Sequence, residues 1–306
     1  MILTVTLNAA LDVTYELDAV AWGGSNRVGS VRRRAGGKGV NVARVAAALG
    51  EDVVATGFAG GDIGNLIRAD LEAAGLRHDL FPVAGTSRST LTTVETASDS
   101  KATVFNEPGP HISPGEWEPF QEHFRRLAES ATVVVISGSL PPGVPNDAYA
   151  TLASQTDAPV IIDADGPTLS AGAAGRPALM KPNAEELTRA TATTTPQAGA
   201  AALRAAGAHA VLVSLGEDGM LAVTPDGTWH ARPPHSVEGN PTGAGDAAVA
   251  AAARALSAGD SWPELLRHAV ALSAAAVRAP VAGDFDAATY TRFLPRVSIE
   301  GDPCPS

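Results

Sequence analysis

Short apolar runs rich in β-branched residues alternate along the chain with longer segments whose apolar positions have helical spacing. Strands are predicted at residues 2–7, 132–137, 159–164, 178–182 and 210–214. Helices are predicted at residues 38–49, 62–74, 114–129 and 196–206. The strand runs are almost continuously apolar, which is typical of strands covered by helices on both faces. The pattern therefore predicts an α/β fold with a mostly parallel central sheet between two layers of helices.

Two regions interrupt this alternation. Residues 86–106 alternate apolar and polar positions on both sides of a polar turn, which predicts a hairpin. Residues 13–34 also have an extended, polar pattern. At least some of the three arginines at 32–34 are expected on a solvated strand face. We expect these two segments to form a small sheet, a lid over one edge of the core. A further hairpin is predicted at 220–231, and without any linker or repeat we expect one domain over residues 1–306.

The composition narrows the classes of protein to which the chain can belong. Its 306 residues, 45% hydrophobic and 18% charged, can bury a sizeable core and are not those of a disordered chain. The net charge of -11 argues against nucleic acid or an anionic membrane as the main partner. Cys304 is the only cysteine, and the sequence has no secretory signal pattern or membrane-length apolar run. We expect a soluble, cytoplasmic protein.

The segment NPTGAGDA, residues 240–247, places two glycines and an aspartate before an alanine-rich helical run. The N–H groups of Gly243, Ala244 and Gly245 can converge at the helix start, where the helix dipole favours negative charge. Asp246 could then take a proton from an attacking hydroxyl group. A glycine turn whose aspartate only caps the helix explains the segment equally well. The segment alone leaves both interpretations open.

Other motifs also fall at predicted strand ends or helix starts. In GGKGVN, Lys38 and Asn41 offer donors to hydroxyls or phosphate, although a tight turn with a solvated lysine is the simpler explanation. In KPNAEE, Asn183 and Glu186 suit water-mediated Mg²⁺ binding beside phosphates, although a helix capping box has the same spacing. SGS at 137–139 and SLGEDG at 214–219 lie at the ends of two more predicted strands. The SLGEDG segment suits a nucleotide close to the backbone, or simply the start of a hairpin. Open α/β sheets bind ligands at this edge.

The order and spacing of these motifs resemble the PfkB/ribokinase-like carbohydrate kinases over about residues 2–290. The matching segments are GGKGVNVA, GFAGGDIG, SGSLPPGVP, KPNAEEL, SLGEDG and NPTGAGDA. The start TLNAALD and the segment at 26–50 are similar to the branch that contains 1-phosphofructokinase and tagatose-6-phosphate kinase.

This resemblance implies a ribokinase-like fold and ATP- and Mg²⁺-dependent phosphoryl transfer to a sugar hydroxyl. It implies that Asp246 is the catalytic base, beside an anion hole of Gly243, Ala244 and Gly245. On the ATP side it implies Lys181, Asn183, Glu186, Ser214, Gly216 and Gly219, with Glu186 holding Mg²⁺ through water. On the sugar side it implies Asp12, Gly37, Lys38 and Asn41, with Arg88 and Ser139 near the acceptor's own phosphate. It also implies a homodimer formed through the lid.

Five positions depart from the usual pattern of that branch. Ala9 replaces a proline, Val13 a basic residue, Thr90 an asparagine, Val104 an acidic residue, and Asp165 the serine of a D-x-S-G element. All but the last fall around the sugar pocket, so the resemblance leaves the sugar open. Tagatose 6-phosphate, fructose 1-phosphate and fructose 6-phosphate are the expected acceptors.

Two alternatives remain from the sequence, and a third is disfavoured. The chain could be a kinase of an unphosphorylated sugar or nucleoside, or a catalytically silent sugar-binding protein. A dinucleotide-binding oxidoreductase would need a glycine fingerprint after the first strand, and TLNAALD contains none. The histidines do not suggest a metal centre.

Overall fold

A ten-stranded sheet and a four-stranded sheet form the framework of the structure, a computed structural model that describes residues 1–97 and 102–303. Its strands are β1 (Ile2–Thr6), β2 (Ala10–Leu17), β3 (Ser30–Gly36), β4 (Val53–Ala59), β5 (His78–Pro82), β6 (Arg88–Glu95), β7 (Ala102–Asn106), β8 (Val133–Ser137), β9 (Val160–Asp163), β10 (Leu179–Met180), β11 (Ala210–Ser214), β12 (Met220–Thr224), β13 (Gly227–Arg232) and β14 (Ser298–Pro303). Its α-helices are α1 (Lys38–Ala48), α2 (Gly61–Ala73), α3 (Pro114–Ala128), α4 (Ala148–Ala153), α5 (Gly166–Gly172), α6 (Ala184–Thr191), α7 (Pro196–Ala205), α8 (Ala244–Ala258), α9 (Trp262–Val277) and α10 (Ala287–Phe293).

The large sheet has the strand order β14-β13-β12-β11-β10-β9-β8-β1-β4-β5. Every neighbouring pair from β11 to β5 is parallel, whereas the β11–β12, β12–β13 and β13–β14 pairs are antiparallel. The predicted α/β fold with a mostly parallel sheet is confirmed. The strand predicted at 178–182 is shorter than expected, because the ladder is interrupted at Pro182, which has no N–H group, and resumes only as an isolated bridge at Asn183.

Helices cover both faces of this sheet, so β1 contributes to two cores. Ile2 packs into the core that includes α1, α8 and α9, whereas Leu3 and Val5 pack into the core that includes α3, α4 and α7. Residues 247–253 of α8 are all buried alanines or valine. Their small side chains let α8 pack closely against α1 and α9. The central strands are therefore buried between two layers of helices.

The helices predicted from spacing correspond to α1, α2, α3 and α7, with ends within one residue of those expected. The longest described helix, α9, has 16 residues, and none of the described helices is long and apolar enough to cross a membrane. The remaining described helices are short or alanine-rich, and their apolar spacing is correspondingly weak in the sequence.

The small sheet has the order β3-β2-β6-β7 and is built from the two segments that interrupt the main alternation. β2 pairs antiparallel with β3 and parallel with β6, and Ala10 lies opposite both Gly36 and Arg88. The sheet therefore begins earlier than residue 13 and ends later than residue 34. The connection at 18–29 contains no strand, contrary to the extended segment expected there. The hairpin turn at 98–101 and Cys304 lie outside the described residues.

Candidate active site

The candidate active site lies at the carboxyl ends of the parallel strands, where the following helices begin. β8 ends at Ser137, β9 at Asp163 and β11 at Ser214, and an isolated parallel bridge pairs Ser214 with Asn183. Side chains of α1 and α8 contact each other at the same edge. The segments that carry the sequence motifs therefore converge where open α/β sheets bind ligands.

Asp246 occupies the first turn of α8 and is almost fully buried, with 6% of its surface exposed. The Asn41 side-chain amide donates a hydrogen bond of 2.8 Å to its Oδ2 atom. Burial raises the pKa of Asp246 to about 6, and the negative charge of Asp163 acts in the same direction. The Asn41 hydrogen bond and the charges of Lys38 and Lys181 oppose this rise in pKa. The carboxyl group can therefore change its protonation state close to neutral pH.

The glycine turn before α8 presents backbone amides at the positive end of the helix dipole. Gly243 has a φ of 87°, and a Cβ there would lie 2.9 Å from the Ala282 Cα atom, so only glycine fits. The Ala244 N–H group donates to the Pro241 carbonyl oxygen at 3.1 Å. The N–H groups of Gly243 and Gly245 have no acceptor within the described part of the chain. Two of the three amides that the motif predicts are thus free to bind an anion.

Lys38, Lys181 and Asp163 form a charge cluster beside this turn. Asp163 Oδ1 lies 3.2 Å from Lys38 Nζ and 3.6 Å from Lys181 Nζ. Burial alone would raise the pKa of Asp163, but the two lysines outweigh burial and hold that pKa below its ordinary value. The Asp163 carboxylate in turn raises the pKa of Lys38. A Cβ on Gly245 would lie 3.2 Å from Lys181 Nζ, so the Lys181 ammonium group lies against the turn.

Sequence reasoning did not single out Asp163 as a site residue. The signal that could have identified it is its position at the end of a buried predicted strand, in the DADG segment, on the edge where the other motifs lie. Its burial, with 1% of its surface exposed, depends on two lysines that are distant in sequence.

Asn183 and Glu186 form a capping box at the start of α6. Asn183 Oδ1 accepts from the Glu186 N–H group at 2.8 Å, and Glu186 Oε2 accepts from the Asn183 N–H group at 2.8 Å. The capping box that the spacing of Asn183 and Glu186 also predicted is therefore present. The other carboxylate oxygen, Glu186 Oε1, lies 4.0 Å from Lys38 Nζ. Glu186 thus caps the helix and faces the charge cluster at the same time.

The residues that follow β11 have different surroundings. The Ser214 N–H group donates to the Pro182 carbonyl oxygen at 3.1 Å, which fixes it next to the Lys181 strand end. Gly216 has open space around its Cα atom, whereas a Cβ on Gly219 would lie 2.0 Å from the Ala231 carbonyl oxygen. Gly219 is required by the tight turn into β12, and its contact with a nucleotide stays a prediction.

A cleft of about 730 Å³ opens beside Lys38. It is lined by four residues predicted on the sugar side and by others that were not predicted. The predicted ones are Gly37, Lys38, Arg88 and Ser139, and the others include Thr6, Asn8, Glu107 and Leu140. Asn8 Nδ2 donates to Ser139 Oγ at 3.1 Å, so these two walls of the cleft are joined directly.

Asp12 and Asn41, also predicted on the sugar side, are not among the residues that line this cleft. Asn41 is bonded instead to the carboxylate in α8. The Asp12 carboxylate packs against Gly36, where a Cβ would lie 1.9 Å from its Oδ2 atom. Burial raises the pKa of Asp12 to about 6, while the Arg88 charge and a hydrogen bond with Thr90 limit the rise.

Arg88 is held by oxygen atoms on two sides. Its Nε atom donates to the Asn8 carbonyl oxygen at 3.0 Å, and Nη1 donates to Thr90 Oγ1 at 3.4 Å and to the Glu107 carbonyl oxygen at 3.5 Å. Burial lowers the pKa of Arg88, and the negative charges of Asp12 and Glu107 oppose this change. Within the described residues its Nη2 atom has no partner, so that nitrogen is available to a ligand in the cleft.

Comparison with solved structures places this architecture among sugar kinases. Phosphofructokinase-2 from Escherichia coli in complex with fructose-6-phosphate superposes with a TM-score of 0.87 at 29% identity, covering 96% of this chain and 98% of that one. A tetrameric inhibited form of the same Escherichia coli enzyme gives a TM-score of 0.89 at 29% identity over the same shares of the two chains. A possible 1-phosphofructokinase from Thermotoga maritima shares the fold, with a TM-score of 0.87 at 24% identity over 98% of this chain and 99% of that chain.

The family model for pfkB family carbohydrate kinases matches residues 5–287, which is most of the chain. This match agrees with the ordered motifs and with the strand-end site described above. The resemblance expected from the sequence is confirmed. The chain therefore belongs to the pfkB family of carbohydrate kinases and is an ATP-dependent sugar kinase.

Proposed function

We propose that the protein transfers the terminal phosphoryl group of ATP to a hydroxyl group of a ketohexose monophosphate. Tagatose 6-phosphate, fructose 1-phosphate and fructose 6-phosphate are the proposed acceptors. One observation carries the proposal: the buried Asp246 carboxyl group, with its pKa raised to about 6, adjoins the free amides of Gly243 and Gly245. A base with a pKa near the working pH beside an anion hole is what phosphoryl transfer to an alcohol needs.

In this proposal Asp246 accepts the proton of the attacking hydroxyl group. Asn41 occupies its Oδ2 atom, which leaves Oδ1 without a partner in the described residues and able to face the acceptor. The amides of Gly243 and Gly245 would stabilise the negative charge on the transferring group, because they are fixed in place before the reaction begins. Lys181, packed against Gly245, would add a positive charge at the same place.

The residues present fit Mg²⁺ held through water beside the nucleotide phosphates. No group of three His, Cys, Asp or Glu side chains in the described residues is arranged to hold a metal ion directly. Asp163 and Glu186 Oε1 lie 3.2 and 4.0 Å from Lys38 Nζ, and they offer the hard oxygen ligands that Mg²⁺ prefers. We propose that these two carboxylates hold the hydrated ion. Mg²⁺, when bound, neutralises phosphate charge.

The proposed acceptor carries its own phosphate. Lys38 and Arg88 both line the cleft, and Arg88 keeps its Nη2 atom available. The solved complex of the Escherichia coli enzyme with fructose-6-phosphate supports an acceptor of this class. A kinase of an unphosphorylated sugar is the second candidate, because Asp12 and Glu107 offset part of the charge of Arg88.

The small sheet is proposed to act as a lid over the acceptor and as the contact between two copies of the chain. Except for Leu66, every exposed large apolar side chain of the described residues lies in this sheet or its connections. Trp22 and Phe105, which are 73% and 45% exposed, lie with their ring centroids 6.4 Å apart. Exposed apolar residues gathered in one place mark an interaction surface.

Phe105→Lys is expected to convert a dimer into a monomer, because it places a charge in this apolar surface. Leu66→Lys is the matched control, since Leu66 is 48% exposed but lies on α2, outside the small sheet. Molar mass measured by light scattering on a sizing column would show the change. A wild-type monomer, or equal masses for the two variants, would contradict the proposed contact.

The proposed function is tested by measuring ATP consumption with a panel of sugars, nucleosides and sugar phosphates. We expect turnover with at least one ketohexose monophosphate and much weaker turnover with fructose, tagatose or nucleosides. Preferred turnover of an unphosphorylated sugar or nucleoside would establish the second candidate instead. ATP binding without turnover on any acceptor would favour a silent sugar-binding protein.

A further inference from the structure

The arginines of β3 do not share one environment. Arg32 fits a solvated strand face, because its side chain is 47% exposed and it pairs with Glu16 across the small sheet. Arg34 lies on the same face of the strand, two residues later, but only 22% of its side chain is exposed. Its Nη1 and Nη2 atoms lie 3.0 and 2.6 Å from the two carboxylate oxygens of Asp284, and Nη1 also donates to the Ala282 carbonyl oxygen at 3.2 Å.

Asp284 and Ala282 belong to the connection between α9 and α10, residues 278–286, whose central part, residues 282–284, is called the 282–284 loop. Ala282 packs directly on the anion-hole turn, since a Cβ on Gly243 would lie 2.9 Å from both its Cα and its Cβ atoms. Gly283 packs on Asn41, where a Cβ on the glycine would lie 3.1 Å from the Asn41 Oδ1 atom. The 282–284 loop therefore contacts both the anion-hole turn and the residue that binds Asp246.

We propose that Arg34 is a positioning residue that ties the small sheet to the phosphoryl-transfer centre by holding the 282–284 loop against Gly243 and Asn41. The inference rests on the proposed roles of Asp246 and the glycine turn. Under it, movement of the small sheet over the acceptor also sets the position of the anion hole and of the base. In this proposal Arg34 acts through the 282–284 loop and not through contact with the substrate or the reacting atoms.

The chemistry of the contact suits a rigid connection. An arginine that binds a carboxylate through two parallel hydrogen bonds is fixed in orientation as well as in distance, which a lysine does not achieve. The neighbouring residue of β3 is fixed as well, because the Ala35 N–H group donates to Asp70 Oδ2 at 2.8 Å, and Arg44 binds the same carboxylate. The base of the small sheet is thus fastened at two successive residues.

Arg34→Gln is expected to lower kcat by about tenfold with little change in KM, because small misplacements of reacting groups reduce the rate more than they reduce binding. Arg32→Gln is the matched control and should stay close to wild type. Asp284→Asn should lower kcat by the same factor, and the double variant R34Q/D284N should show no further loss, because both single changes break one connection. Equal rates for R34Q and R32Q, or multiplied losses in the double variant, would overturn the proposal.

The pH dependence of kcat distinguishes a loss of positioning from a general loss of stability. The Asn41 hydrogen bond lowers the pKa of Asp246, so a loosened Asn41 should shift the acid limb of kcat to higher pH in R34Q but not in R32Q. The other charged groups that act on Asp246 are Asp163, Lys38 and Lys181, and their ion pairs in the described residues do not involve the 282–284 loop. Arg34→Lys should recover only part of the rate. An unchanged acid limb in R34Q would contradict the proposed route through Asn41.

Hydrogen exchange tests the connection without any substrate. In R34Q we expect faster amide exchange in peptides covering 241–247 and 280–286 than in R32Q, with similar exchange in β1 and β8. If the wild-type protein phosphorylated none of the acceptors, the proposed function would fail, while the exchange data would still decide whether Arg34 holds the loop. Identical exchange in R34Q and R32Q would end the proposal even in an active kinase.

Discussion

Asp246→Asn is expected to lower kcat by on the order of a thousandfold, the usual contribution of a positioned general base. Asparagine keeps the size of the side chain and can still bond with Asn41, but it cannot accept the proton of the acceptor hydroxyl. Because Asp246 lies at the acceptor side of the turn in this account, the affinity for ATP should change little. Steady-state kinetics and equilibrium titration with nucleotide give these two quantities separately.

The matched control for this substitution is Asp165→Asn. Asp165 is an exposed aspartate at the start of α5 that binds Arg189. Its replacement should change kcat little, as expected for a surface residue. The wild-type rate should rise with pH through about 6, because the Asp246 carboxyl group must lose its proton before it can act as a base. D246N should lack this acid limb. Near-normal turnover by D246N would show that another group takes the proton.

Arg88→Gln is expected to raise the KM for a phosphorylated acceptor by about tenfold to a hundredfold, which is the loss of a charged hydrogen bond of roughly 1.5–3 kcal/mol. The KM for the matching unphosphorylated sugar should change much less. Asp12 and Glu107 act on the charge of Arg88 in the same way with either sugar, so the ratio of the two KM changes isolates the contact with the acceptor phosphate.

Arg88→Lys provides the control for charge. It keeps the positive charge but not the bond from Nε to the Asn8 carbonyl oxygen, so a partial recovery of KM would assign the effect to charge. An equal rise in KM for both sugars in R88Q would mean that Arg88 only supports the wall of the cleft. The unphosphorylated sugar would then become the preferred acceptor class.

The central strands of the large sheet could be predicted from the sequence, and its edges could not. β1, β8, β9 and β11 are continuous apolar runs because helices cover them on both faces. β5 and β14 lie at the two edges and include His78, Asp79 and Glu300, so they lack such a run. β4 is buried, but it contains Thr56 and Gly57, the latter in close contact with the Thr6 carbonyl oxygen.

The location of the candidate site could be predicted from the sequence, but the contacts between its side chains could not. Motifs at strand ends indicated that Lys38, Glu186 and Asp246 would meet, because parallel strands end at one edge. The pairing of Lys38 with Asp163 depends on the positions of two elements 125 residues apart, which no local pattern encodes. The bond from Asn41 to Asp246 could not be predicted either, and the sugar-side role of Asn41 stays a prediction.

The contacts of the arginine run illustrate the same limit. Arg32 and Arg34 are identical in type and lie on one face of β3, so the sequence cannot distinguish them. Only the fold brings Asp284, 250 residues away, within reach of one of them.

The most direct test of this account is a crystal structure with a non-hydrolysable ATP analogue, Mg²⁺ and the acceptor bound together. We expect an oxygen of the terminal phosphate within about 3 Å of the Gly243 and Gly245 amide nitrogens, and the acceptor hydroxyl within about 3 Å of Asp246 Oδ1. A terminal phosphate remote from that turn, or an Asp246 carboxylate directed away from the acceptor hydroxyl, would contradict it.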